Sequence, residues 1–152
     1  MRKQCRRKVY QRINPIQFAI EGAAITSDQE LNRLRIRELS AIEAMATGQS
    51  SEQEWHEINA LRLIAKNLGL AGVGPEVLPV CVEVKRHLDE AMDRFKRIGL
   101  MGTTGPGLTA IRDLFAWHDL QRQSVSRSQY ERAIAFTINT DKNGKPKDLE
   151  EA

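Results

Sequence analysis

The chain has 152 residues, 41% of them apolar and 28% charged, which is one domain's length and an ordinary globular balance, enough to bury a core without metals or disulfides. The longest apolar run, residues 77–82 with Pro79 inside it, is far short of the about 20 residues that span a bilayer, and no secretory signal follows the basic start. Net charge is +3 but unevenly placed: Arg2, Lys3, Arg6, Arg7, Lys8 and Arg12 face no acid within residues 1–12, while the remaining 17 basic and 20 acidic residues leave a mildly acidic body.

Residues 1–12 therefore read as a basic arm, 13–140 as one helical domain and 141–152 as a frayed tail. Asn14-Pro15 caps and starts a first helix to about Ala24, with Ile16, Ala19, Ile20 and Ala23 on its apolar face and Ile13 and Phe18 at the staple positions. Ser27-x-x-Glu30 opens a second, with Leu31, Leu34, Leu39, Ile42 and Met45 as its buried stripe and Gly48 as its stop. Ser51-x-x-Glu54 opens a third, carrying Trp55, Ile58, Leu61, Ile64, Ala65 and Leu68, and Gly69, Gly72 and Gly74 end it.

The fourth predicted helix has the cleanest period: Val77, Cys81, Val84, Leu88, Ala91, Phe95 and Ile98 alternate at spacings of four and three, which makes it the expected centre of the bundle. Pro79 confines its first regular turn to the Pro75–Pro79 region, and Gly99 ends it. Gly105-Pro106 starts a fifth helix, with Leu108, Ile111, Leu114, Phe115 and Trp117. Ser126-x-x-Gln129, stapled by Val125 and Tyr130, starts a sixth. Short loops make sequential helices antiparallel neighbours, so the expected fold is all-α: a compact single-domain bundle of about six helices with a flexible basic N-terminal arm. Cys5 and Cys81 form no CxxC pair and read as free thiols in a reducing compartment.

Four features bear on chemistry. The arm, with Tyr10 available to stack, suits sequence-blind phosphate contact through Arg2, Lys3, Arg6, Arg7, Lys8 and Arg12, weighed against a solvated terminus. The loop Gly102–Gly107 leads into a helix N-terminus, so Thr103, Thr104, Gly105 and Gly107 are candidate anion ligands; without a Gly-Lys-Ser/Thr or a preceding strand it is not a Walker loop. His118-Asp119, with His87 upstream, superficially resembles the metal site of HD phosphohydrolases, against which stands a core-edge histidine bonded to a neighbour. A helix–turn–helix reading places Arg127, Gln129 and Arg132 toward bases, against an ordinary capped helix start. Arg33, Arg35 and Arg37 do not form one patch and read as a solvated face beside Glu30 and Glu38. There is no HExxH, no Gly-x-Ser-x-Gly and no cofactor motif.

The runs Ile13-Asn-Pro-Ile16, Gly22-Ala-Ala-Ile-Thr26, Met101-Gly-Thr-Thr-Gly-Pro-Gly-Leu108, His118-Asp-Leu-Gln-Arg122 and Ser126-Arg-Ser-Gln-Tyr-Glu-Arg132 together resemble a group of small uncharacterised proteins encoded by proteobacterial phages and other mobile elements. The resemblance covers about Arg2 to Ile134 and implies a bacterial cytoplasm and a mobile-element setting; it carries over no site residue. With no catalytic constellation, the expected function is non-enzymatic binding of a host or element protein, in its sharpest form inhibition of a host defence complex, without a cofactor or a membrane. Nucleic-acid binding through the arm and an HD-like metal-dependent phosphohydrolase are the alternatives, and the four-three stripe also suits self-association.

Overall fold

Capping side chains set the starts of three of the helices. The computed structural model describes residues 28–142. Within them the chain forms α1 (Asp28–Thr47), α2 (Glu52–Leu70), α3 (Val77–Ile98), α4 (Gly105–Ser124) and α5 (Arg127–Lys142), the second to sixth predicted helices. The arm and the predicted helix at 15–24 lie outside the described residues, as does the predicted tail except for Asp141 and Lys142, which continue α5.

Ser51 and Glu54 form the reciprocal box that starts α2. Ser126 and Gln129 do the same for α5: the Ser126 hydroxyl accepts from Gln129 N–H at 3.2 Å, and Gln129 Oε1 accepts from Ser126 N–H at 3.0 Å. Thr104 caps α4, with Pro106 in its first turn, and Gly99 closes α3 in the left-handed conformation at φ 74°. One boundary and one burial assignment differ. The third predicted helix runs through Gly69 to Leu70, because Gly69 keeps helical geometry where a Cβ would come within 3.0 Å of Val77 and Leu78. Leu39, assigned to a buried stripe, is 48% exposed, because the inward face of α1 passes through Glu38 and Ala41 instead.

The main core gathers Met45, Ile58, Leu61, Ala65, Val77, Val84, Leu88, Ile111 and Leu114, and a smaller cluster joins Leu68, Val125 and Tyr130. The centre is α2, not α3: α2 packs against each of the other four helices, while α3 packs mainly on α2 and α4. The reason is in the amphipathicity itself. A helix with one narrow apolar stripe has one face to bury and belongs at the side of a bundle. The hub is covered more nearly all round: no residue from Leu61 to Gly69 is exposed, whereas α3 leaves Val82, Glu83, Arg86, Asp89 and Glu90 exposed, and Trp55 adds a hydrogen bond from its indole to Leu88 O at 2.8 Å.

The α1–α2 and α3–α4 connections cross as an isolated bridge between Ser50 and Met101, where the Ser50 hydroxyl donates to Met101 O at 3.0 Å. Gly102 lies so close to the end of α1 that a Cβ would stand 2.9 Å from Gly48 Cα. Backbone cannot yield as a flexible side chain does, so Gly102→Ala is expected to cost about 1–3 kcal/mol. Thermal denaturation checks this; an unchanged melting temperature would show that the two connections separate freely.

Candidate functional site

The most ordered polar chemistry lies between α1 and α4. Arg122 is 1% exposed, and its guanidinium forks onto Glu38, donating from Nη1 to Oε1 at 2.6 Å and from Nη2 to Oε2 at 2.9 Å. The same Nη2 reaches Asp119 Oδ1 at 3.2 Å. Arg35 grips Asp119 from α1 with two bonds, at 2.8 and 2.9 Å. Two arginines and two carboxylates thus alternate across the seam in bidentate geometry. Burial pushes the Glu38 carboxyl above its ordinary value despite the pull of Arg122. Burial also opposes the ionised form of Asp119, but the bonds and charges of Arg35 and Arg122 hold that carboxyl below its ordinary value.

A second network runs inward from α4. The Gln121 side-chain amide donates to Ala65 O at 3.1 Å and Val73 O at 2.8 Å, which fixes which end of it is oxygen. Its Oε1 therefore accepts from His118 Nδ1–H at 3.1 Å, and His118 Nε2 accepts from the Tyr130 hydroxyl at 3.2 Å. Both nitrogens of this fully buried ring are engaged in the neutral form. Burial, and then the Arg122 charge, push the His118 pKa down to about 4. Cys81, the free thiol among the described residues, is raised to about 11 by its burial.

This floor opens into a cleft of about 810 Å³ between α1, α2 and α5. Leu34, Leu61, Ile64 and Ile134 form its walls, with His118, Tyr130 and Glu38 beneath. Its rim is charged and mostly paired, Arg37 with Glu57 at 3.0 Å and Arg127 with Glu131 at 3.1 Å and Glu30 at 3.7 Å, while Arg33 also lines it. A second groove of about 440 Å³ lies between the end of α2 and α5, where Leu70 and Phe136 stay exposed beside Arg132.

The candidates of the HD-like reading are not brought together. His118 sits with Asp119 in the second half of α4, whereas His87 packs at the other end of that helix, its ring 3.1 Å from where a Gly107 Cβ would stand. Eleven residues separate Gly107 from His118, about 16 Å of helix. Asp119 is held by two arginines, and among the described residues no three of His, Cys, Asp and Glu form a metal-holding group.

The Gly102–Gly107 loop does meet His87, and two of its donors are already taken. Thr103 N–H donates to Met45 O at 3.3 Å and Gly107 N–H to Thr104 Oγ1 at 3.2 Å, while Pro106 has no N–H. His87 in turn faces acids, with Nε2 3.1 Å from Glu83 and Nδ1 3.4 Å from Glu90. The candidate base-reading side chains are also engaged: Arg127 in ion pairs, Gln129 in its capping box, and Arg132 with the Ser128 hydroxyl at 3.0 Å. The arm residues Arg2, Lys3, Arg6, Arg7, Lys8, Tyr10 and Arg12 lie outside the described residues.

No protein-family model, curated protein or solved structure matches this chain. Its reading therefore rests on its own geometry. Arg122, Glu38 and Arg35 were not singled out by sequence reasoning as one unit. The available signal was Glu38 within the inward stripe of α1, a charge where an apolar residue was due. Among the described residues no helix is long and apolar enough to cross a membrane.

Proposed function

We propose that this chain is a non-enzymatic binding protein of a phage or other mobile element, acting in the bacterial cytoplasm on a host or element protein. Its sharpest form is inhibition of a host defence complex. The fold that goes with this reading has six helices, the sixth being the predicted segment at 15–24, and a basic arm ahead of it.

The observation that carries the non-enzymatic part is the commitment of the ionisable groups buried between α1, α4 and α5. Glu38, Asp119 and Arg122 are tied to one another, and both His118 nitrogens are bonded within the protein. A general acid or base must reach a substrate proton. These groups instead fasten α4 to α1 and α5. What remains for recognition is surface, and the Leu70–Phe136 groove supplies an apolar patch with Arg132 at its edge. Phe136 is 58% exposed, an aromatic anchor of the sort that dominates protein interfaces.

The test is affinity capture from bacterial lysate at physiological salt, comparing the chain with Phe136→Glu. A partner retained by the first and reduced at least about tenfold by the second, with far-UV circular dichroism unchanged, supports the reading. Equal recovery by both places the docking surface elsewhere, and recovery of the bait alone counts against a protein partner.

A further inference from the structure

We propose that the cleft between α1, α2 and α5 is the seat of the chain's own residues 13–24, lying there as an amphipathic helix antiparallel to α1.

Helices α1 and α5 both lean on α2 and hardly touch each other, so a channel is left between them. Leu34, Ile64 and Ile134 belong to the smaller core cluster, yet each is only partly covered. Among the described residues Arg37 and Arg127 are paired with acids at the rim and Arg33 is not, while the walls of the channel between them are apolar, which suits an occupant with an apolar face. An apolar channel of about 810 Å³ left to water forfeits the burial of its walls.

Residues 13–24 match that requirement. Ile13, Ile16, Ala19, Ile20 and Ala23 recur at helical spacing, and Glu21 is the one charge among the twelve. Ala19 and Ala23 allow close backbone approach. The length fits: ten helical residues reach about 15 Å, and the α1 positions that line the channel, Glu30 to Glu38, span about 12 Å. The entry point fits as well. α1 begins at Asp28, its first turns line the cleft, and the three residues 25–27 match in number the short connections that join antiparallel helices.

This cleft and the Leu70–Phe136 groove are different surfaces, so either assignment can fail alone. The test is methyl NMR and hydrogen exchange on the full chain. Expected are NOEs from the Ile16 and Ile20 methyls to Leu34, Ile64 and Ile134, and amides of residues 19–24 exchanging about 100-fold more slowly than in a random coil. Ile16→Asp with Ile20→Asp is expected to abolish both effects and shift the Ile64 and Ile134 methyl resonances, while circular dichroism still reports the folded body. Random-coil shifts for Ile16 and Ile20 with unprotected amides would overturn the assignment. So would NOEs that appear only between differently labelled copies in a mixed sample, which give the seat to a second chain.

Discussion

Arg122→Met is expected to destabilise the protein by about 3–5 kcal/mol, measured as a drop in the urea midpoint at pH 7 with unchanged slope. Methionine preserves most of the volume, so the loss is electrostatic. Glu38 keeps its burial but loses both guanidinium bonds, and Asp119 loses one of its two arginine partners. A buried carboxylate without its cation is the costly state, far more than the intact pair is a gain. The double variant Arg122→Met with Glu38→Gln removes the charge and the demand for it together, and is expected to recover most of the loss. A single-variant cost below about 1 kcal/mol would mean that water or another cation reaches Glu38, and that the pair is not a fastening between α1 and α4.

The Arg35 end of the same network is different in kind. Its guanidinium is raised above its ordinary value chiefly by the hydrogen bond to Asp119, but it lies at the surface, where solvent screens the pair. Its contribution is alignment of the Asp119 carboxylate rather than stability.

Local signals in this chain were readable because each is settled within four residues. Ser51 and Glu54, Ser126 and Gln129, Thr104 with Pro106, and Gly99 mark helix ends through contacts between near neighbours, and sequence shows near neighbours directly. Which helix is central is not local. The regular stripe of α3 looked like a centre, yet regularity measures how one-sided a helix is, and the hub must be many-sided. The arginines of α1 fail for a similar reason. Arg35, Arg37, Glu30 and Glu38 read as a self-paired solvated face at helical spacing. Each instead finds a partner on another helix: Asp119, Glu57, Arg127 and Arg122. Those pairings join residues 20 to 97 positions apart, and no spacing rule reaches that far. His118 was half legible. Its place on the Leu108–Ile111–Phe115 side gave burial and a bonded neighbour. Its second partner, Tyr130, comes from another helix.

That histidine makes stability fall with acid in a defined window. His118 has an ordinary pKa of 6.5 when the chain is unfolded and about 4 in the folded protein, where burial and Arg122 disfavour the imidazolium. Between those values the unfolded chain binds a proton that the folded one refuses, so stability rises with pH there. The contribution is complete above about pH 6.5, drains away as pH falls toward 4, and is gone below it. A displacement of that size corresponds to about 3 kcal/mol. Glu38, raised by burial, titrates above its ordinary value with the opposite slope, and Asp119, held below its ordinary value, contributes on the acid side. A comparison therefore isolates the ring: urea midpoints of the wild type and His118→Gln, taken at intervals from pH 7 to 4. Gln is expected to be less stable at pH 7, since it cannot both donate to Gln121 and accept from Tyr130 at the ring's two positions. The two curves should then converge as the wild type falls. Parallel curves across that interval would mean that His118 takes its proton in the folded state, which requires Tyr130 to turn away or water to enter beside Arg122.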